Sequence, residues 1–230
     1  MNNVRWGLLS TAKINQALIP AIREAKRSEL TAVASRSLVN AEKYAQDWEI
    51  PQAFGSYMEM LDSGEVDAVY IGLPNHMHAE WTIKALEEGI NVLCEKPFAI
   101  SLDEVDAVIT AREKFEKVAA EAFMYRHHPQ TQIVKKWVEE GKLGEVTMIR
   151  GAFQFMMGPD GRKPESLNVR MVPEFGGGCL WDVGVYPLSF IQFILGSPPD
   201  WVYGNQVLGP TGVDEIFAGQ MGYQTESGEV

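Results

Sequence analysis

The sequence predicts an α/β fold: an N-terminal doubly wound parallel sheet, then a C-terminal α+β domain built on a mostly antiparallel sheet. Three observations carry this. Over residues 1–122, short apolar runs alternate five or six times with amphipathic helical stripes. Successive parallel strands need such helical crossovers. Beyond about residue 122 the β-like runs lengthen and lose their regular helical partners, which marks antiparallel pairing. The composition is that of an ordinary globular protein, with 46% hydrophobic and 22% charged residues in 230, enough chain for one to two domains.

Taken in order, residues 5–10 read as a buried strand. Ile14, Ala17, Leu18, Ala21, Ile22 and Ala25 then form one helical face. Pro20 interrupts it by removing a backbone donor. Residues 29–35 are a second strand centred on Ala32, Val33 and Ala34. Ala41, Tyr44, Ala45 and Trp48 mark a second helix, with Asn40 as its N-cap. Ala53-Phe54 is a short strand, residues 56–61 a short helix, and residues 68–72 a buried strand. Trp81, Ile83, Ala85 and Leu86 give a helix closed by Gly89, followed by a strand at residues 91–94. Ser101-Leu102-Asp103-Glu104 is a capping box opening a helix to about Lys114, and residues 118–122 are the last strand of this half.

The second half begins with a helix over residues 129–140 and a turn at 141–144. Residues 146–155, rich in Val, Met, Ile and Phe, read as a long strand. Residues 156–173 are a loop rich in Pro, Gly and charge. Gly176, Gly177 and Gly178 precede an apolar helix over about residues 181–195. Residues 201–207 and 216–223 alternate with period two, as strands do. The domain boundary is set between residues 122 and 123.

Composition also limits the partners. Twenty Lys and Arg against 31 Asp and Glu give a net charge of −11, which argues against nucleic acid or an anionic membrane. No run of about 18 apolar residues predicts a membrane span. The first residues lack the basic and apolar blocks of a signal peptide. Cys94 and Cys179, far apart in sequence, are expected to be reduced. A cytoplasmic location follows as the expectation.

Ligands of doubly wound sheets bind beyond the carboxyl ends of the strands, so those residues matter most. After the first strand the G-x-G-x-x-G frame falls on Ser10, Ala12 and Asn15, with no glycine. Small side chains still let a backbone approach a pyrophosphate, and Ser10 and Thr11 offer hydroxyls, with Lys13 and Ile14 opening the helix. The plain alternative is an ordinary turn. After the second strand comes Ser35-Arg36-Ser37 rather than an acidic residue. A guanidinium between two hydroxyls suits a 2′-phosphate, so NADP(H) is favoured over NAD(H); a solvated arginine is the alternative. Then come Leu73-Pro74-Asn75-His76-Met77-His78, Cys94-Glu95-Lys96-Pro97, and Gly177-Gly178 with Asp182, Gly184 and Tyr186. A metal pair at His76 and His78 has no third ligand nearby in sequence, so no metal is expected.

In this order on this scaffold, these segments resemble the glucose-fructose oxidoreductase, inositol dehydrogenase and rhizopine-catabolism (Gfo/Idh/MocA) family, across the whole chain. The Ser10-x-Ala12 variation and Tyr186 look most like its glucose-fructose oxidoreductase and dimeric dihydrodiol dehydrogenase branch; inositol-type members carry histidine at that last position. The resemblance implies a Rossmann-type nucleotide domain at 1–122 and a substrate-binding, oligomerising domain at 123–230. It implies NAD(P)-dependent hydride transfer to or from a sugar, polyol, diol or related hydroxyl or carbonyl compound. Lys96 matches the family's catalytic lysine, Tyr186 its acid/base, and Asp182 the carboxylate beside it. Asn75 and His78, with Glu95 nearby, match the segment lining the nicotinamide, and Pro97 a proline often preceded by a cis bond. Arg126 and His128 match the hinge into the second domain, with packing as the alternative. Arg170 is a candidate substrate contact.

The chemistry agrees with those roles. Tyrosine, with an ordinary pKa near 10, needs help to act as a base at neutral pH, and a nearby ammonium supplies it. Asp182 lies four residues before Tyr186, which on an α-helix puts both on one face. Whether Tyr186 or Lys96 donates the proton stays open. A non-catalytic NAD(P)-binding sensor of the same fold is the rival reading, which the presence of both Lys96 and Tyr186 disfavours. The small-molecule substrate is not specified. A homodimer or higher homo-oligomer through the C-terminal sheet is expected. The resemblance implies that relatives run on beyond residue 230, so the second domain is expected to be incomplete and this chain to bind NADP(H) with weak or no turnover.

Overall fold

The computed structural model describes residues 3–158, 161, 167–225 and 228–229. It forms two compact units, Met1–Ala122 and Phe123–Val230. In the first, strands and helices alternate as β1 (Val4–Leu9), α1 (Asn15–Glu24), β2 (Ser28–Ala34), α2 (Leu38–Asp47), β3 (Gln52–Phe54), α3 (Tyr57–Asp62), β4 (Ala68–Ile71), α4 (His78–Glu87), β5 (Asn91–Cys94), α5 (Leu102–Phe115) and β6 (Ala119–Glu121). All pairings are parallel, and the sheet order is β3-β2-β1-β4-β5-β6. The order reverses between β1 and β4, the switch point at which such sheets take ligands.

Alternate residues of each strand join different cores. Leu9, Val69 and Ile71 pack with Met60 and Leu86, while Leu8, Val33 and Tyr70 pack with Ile19 and Ile22. Helices therefore cover both faces of the sheet, which is why its strands read as unbroken apolar runs. Three crossover helices start on serine caps. Ser37, Ser56 and Ser101 accept from the amides of Asn40, Glu59 and Glu104. Glu59 and Glu104 return the bond to the amides of Gly55 and Ile100, at 3.2 and 2.8 Å. The cap of α2 is thus Ser37, three residues before the expected Asn40, because the extended backbone at Ser37 aims its hydroxyl at the first turn. Pro20 lies inside α1 on its exposed side and does not end the helix.

The second unit holds α6 (Pro129–Glu139), α7 (Val185–Leu195), β7 (Trp201–Leu208), β8 (Asp214–Gly222), β9 (Gln224–Thr225) and β10 (Gly228–Glu229). β7 and β8 pair antiparallel, as do β9 and β10. Two expectations fail here. Residues 146–155 form no strand. Their side chains favour β structure, but a strand also needs a ladder partner, and among the described residues none pairs with them. The helix expected from about residue 181 begins instead as a π-helical turn, Leu180–Gly184, and becomes α-helical only at Val185. The expected loop at 156–173 lies partly outside the described residues; its end forms the 3₁₀ turn Val169–Met171.

The 23-residue stretch Pro173–Leu195 is apolar enough by length and average composition to cross a membrane, although Glu174, Asp182 and Gln192 interrupt it, so it holds no unbroken run of 18 apolar residues. Its continuous α-helix is the 11-residue α7, about 16 Å long against about 30 Å of hydrocarbon. A 3₁₀ turn, three glycines, Cys179 and the π turn make up the rest.

Candidate functional site

The carboxyl ends of β1, β2, β4 and β5 lie along one edge of the parallel sheet. The turn after β1 is built without glycine by a different device. Ser10 has φ +120°, a backbone region that glycine favours. Its carbonyl accepts from Asn15 Nδ2 at 2.8 Å, and its hydroxyl donates to the Gly72 carbonyl at 3.1 Å. Asn15 is buried, so the position expected to copy the motif's last glycine instead locks the turn. No side chain caps the first turn of α1, and it holds no acidic residue. Lys13 and Ile14 are exposed beside it, with Thr11 and Ala12 partly so. Small side chains and the absence of a carboxylate suit an anion at a helix start.

At the end of β2, Arg36 is exposed and its charge acts on the Tyr57 hydroxyl. Burial raises the Tyr57 hydroxyl above its ordinary value, and Arg36 opposes this. The flanking serines depart from their expected role. Ser35 is buried and accepts from the Ser37 amide, while the Ser37 hydroxyl caps α2. Both serve the turn that displays Arg36.

Beyond β4 and β5, two loops are tied by one side chain. His78 is fully buried, with Nδ1 2.7 Å from the Pro97 carbonyl oxygen and Nε2 2.7 Å from that of Leu73. The ring therefore does not line an open nicotinamide site, as had been expected. It joins the Leu73-Pro74-Asn75 turn to the segment carrying Lys96. Burial lowers its pKa, while the two carbonyls pull upward. Leu73 and Pro97 are buried, and Pro74, Asn75, Glu95 and Lys96 are half-buried. The Lys96-Pro97 bond is cis. Glu95 accepts from the buried Tyr70 hydroxyl at 2.5 Å, and Glu121 accepts from the Phe98 amide at 2.9 Å. Tyr70 and Glu121 have no motif spacing to mark them, so the sequence reading missed both.

In the second unit, Arg170 and Asp182 form an ion pair, Nε to Oδ2 at 2.8 Å, with Asp182 largely buried. The carboxylate expected beside the acid/base is thus engaged by Arg170, singled out only as a candidate substrate contact. The paired glycines make this possible. The amides of Gly177 and Gly178 donate to the carbonyls of Val172 and Arg170. A Cβ at Gly177 would lie 2.6 Å from the Arg170 carbonyl oxygen. Tyr186 packs edge-on against Phe123 and tilted against Phe153, both with ring centroids 5.6 Å away. It lines a cavity of about 690 Å³ with Tyr125, His128, Arg150 and Phe190. Arg126 donates to Ser189 at 2.8 Å and stacks on Phe123 and Phe193, and His128 caps α6, so both pack within this unit. Among the described residues, no cluster of His, Cys, Asp or Glu is arranged to hold a metal.

Residues 4–123 match the oxidoreductase family with an NAD-binding Rossmann fold, and residues 131–227 match the Gfo/Idh/MocA C-terminal domain. A D-xylose 1-dehydrogenase (NADP(+)) of Haloferax volcanii is 39% identical over 222 residues, 96% of this chain and 66% of that protein. A trans-1,2-dihydrobenzene-1,2-diol dehydrogenase of Xenopus laevis is 33% identical over 217 residues, 93% of this chain and 64% of that protein. The crystal structure of KijD10, a 3-ketoreductase from Actinomadura kijaniata in complex with NADP and TDP-benzene, superposes with a TM-score of 0.86 at 29% identity. The match covers 99% of this chain and 68% of that one. The chain thus spans just under two thirds of the length of these two dehydrogenases. The parallel sheet with its reversal between β1 and β4, the tied Glu95-Lys96-Pro97 segment and the matches over both units agree, and the chain belongs to the Gfo/Idh/MocA family of oxidoreductases.

Proposed function

We propose that this chain carries the nucleotide-binding and proton-transfer residues of an oxidoreductase. The enzyme would interconvert a hydroxyl and a carbonyl on a sugar, polyol or diol, using NADP(H) in preference to NAD(H). The observation that carries the reading is the immobilised Lys96 segment. Tyr70 holds Glu95, Glu121 holds the Phe98 amide, and His78 holds the Pro97 carbonyl, so three bonds hold the chain around one lysine. Such fixing is expected of a group that must meet a reacting atom. The first turn of α1, with Ser10, Thr11, Ala12 and Lys13, would hold the pyrophosphate, and Arg36 a 2′-phosphate. Asn75 and Glu95 would lie at the nicotinamide end.

A bound nicotinamide supplies or accepts the hydride. Tyr186 would exchange the proton at the substrate oxygen, and the Lys96 ammonium would polarise that oxygen. Asp182 and Arg170 bind the substrate's remaining hydroxyls. The two dehydrogenases reported above are named for a sugar and a diol, which supports the substrate class. We place the enzyme in the cytoplasm, consistent with free thiols at Cys94 and Cys179. We propose a homodimer through the second unit, whose β7 is exposed along its length.

The test is a screen of sugars, polyols and diols with NADP and NAD in both directions, beside Lys96→Met and Tyr186→Phe. Slow turnover of at least one compound is expected. Each variant should lose about 100-fold or more in kcat while still binding nucleotide. Near-wild-type kcat in both variants would overturn the assignment.

A further inference from the structure

Asp214, the first residue of β8, belongs to no motif read from the sequence. Its Oδ2 accepts from the Leu180 amide at 2.8 Å and from Cys179 Sγ at 3.0 Å. Its Oδ1 stands where a side chain at Gly178 would begin: a Cβ there would be 1.9 Å away. Gly178, at φ +111°, is thus shaped to this carboxylate. The Gly178 carbonyl in turn accepts from the Asp182 amide at 3.0 Å. The carboxylate satisfies the first amide of the π turn, so it sets where the turn starts and how its residues are phased.

We propose that Asp214 is the positioning residue for the turn that carries Asp182 and leads into Tyr186 on α7. From a strand end fixed opposite Leu208, it holds the start of Leu180–Gly184, and that start determines the directions of Asp182 and Tyr186. Loss of the carboxylate lets the turn relax toward an α-helical start, which rotates Asp182 relative to Tyr186. The proposal rests on the proposed roles of those two residues only for its catalytic consequence.

The neighbouring thiol provides a local reporter. Burial, and next the Asp214 hydrogen bond and charge, push the Cys179 thiol up to about 12. Cys94 is fully buried and does not compete for reagent. The experiment measures iodoacetamide alkylation of Cys179 at fixed pH, with kcat and nucleotide KM, in Asp214→Ala, Asp214→Asn and Gly178→Ala. Asp214→Ala should speed alkylation about tenfold, the change expected for one pKa unit. It should also lower kcat about tenfold with nucleotide KM unchanged, as for an interaction needed in the transition state. Gly178→Ala, whose methyl displaces the carboxylate, should reproduce both effects. Asp214→Asn keeps one acceptor oxygen for Leu180 and should retain most of kcat, which a purely electrostatic role would not allow. An unchanged alkylation rate in Asp214→Ala overturns the positioning role, and faster alkylation with unchanged kcat overturns its catalytic consequence. If the wild-type chain turns over no substrate, the oxidoreductase reading fails, while the thiol rates still decide what Asp214 holds.

Discussion

His78 shows how a residue near a candidate site can serve it without touching a ligand. Both ring nitrogens meet carbonyl oxygens at 2.7 Å inside the first unit. Replacing it with alanine removes the one ring N–H that a buried carbonyl accepts from in the neutral tautomer and opens a cavity, at about 3 kcal/mol. The pH dependence has a definite sign. The folded pKa lies below the unfolded one because burial disfavours the charged ring. The unfolded chain therefore binds the proton more readily, and stability present above about pH 6.5 is lost as pH falls below that value. Denaturant unfolding from pH 7.5 to 5 should show the decline in wild type and a flatter profile in His78→Gln. Equal slopes in the two proteins would refute it. From the sequence, a histidine three residues after Asn75 looks like part of the lining. Only the fold shows that the chain turns this ring inward, because the Pro97 carbonyl comes from a strand end 19 residues away.

At the scale of elements, legibility followed the range of the interaction. Asn91–Cys94 and the Ser101–Glu104 capping box are local patterns, and both appear where expected. The π turn at Leu180–Gly184 is not local, since its start is held by Asp214, 34 residues later. The strand expected at 146–155 fails for the same reason, because pairing is a property of two segments. Gly7 in β1 makes the point energetically. Its place in an apolar strand is unremarkable in sequence, yet a Cβ there would lie 2.9 Å from Val66 Cγ1 and 3.0 Å from Met60 Sδ. Met60 is fully buried and comes from α3, so the glycine sets how closely that helix approaches the sheet. Gly7→Ala should cost about 1–3 kcal/mol by overpacking. Adding Met60→Ala should recover part of that loss, because the methyl then fills space the thioether has left. Thermal melts of the double and single variants measure the coupling; strict additivity would mean the two residues do not share the space.

For the whole molecule, the two units differ in how completely each buries its own apolar residues. Both cores of the first unit are drawn entirely from residues within Met1–Ala122, from Trp6 at one end to Ala122 at the other. Helices close both faces of its sheet, and the candidate phosphate and ribose residues, Ser10 to Lys13 and Arg36, lie within it. A chain of that length can bury most of the surface needed for independent stability. The fragment 1–122 is therefore expected to unfold in one cooperative transition and to bind NADPH without the second unit. Arg36 carries the distinction between the two nucleotides, since a guanidinium grips a phosphate with two parallel bonds. Isothermal titration of the fragment should show NADPH binding about tenfold or more tighter than NADH, a difference of about 1.4 kcal/mol, consistent with charge-assisted bonds to one phosphate. Arg36→Ala should remove most of that difference while leaving NADH affinity nearly unchanged. Equal affinities in the wild-type fragment would refute the cofactor preference. A non-cooperative transition would show that the first unit depends on the second for its fold.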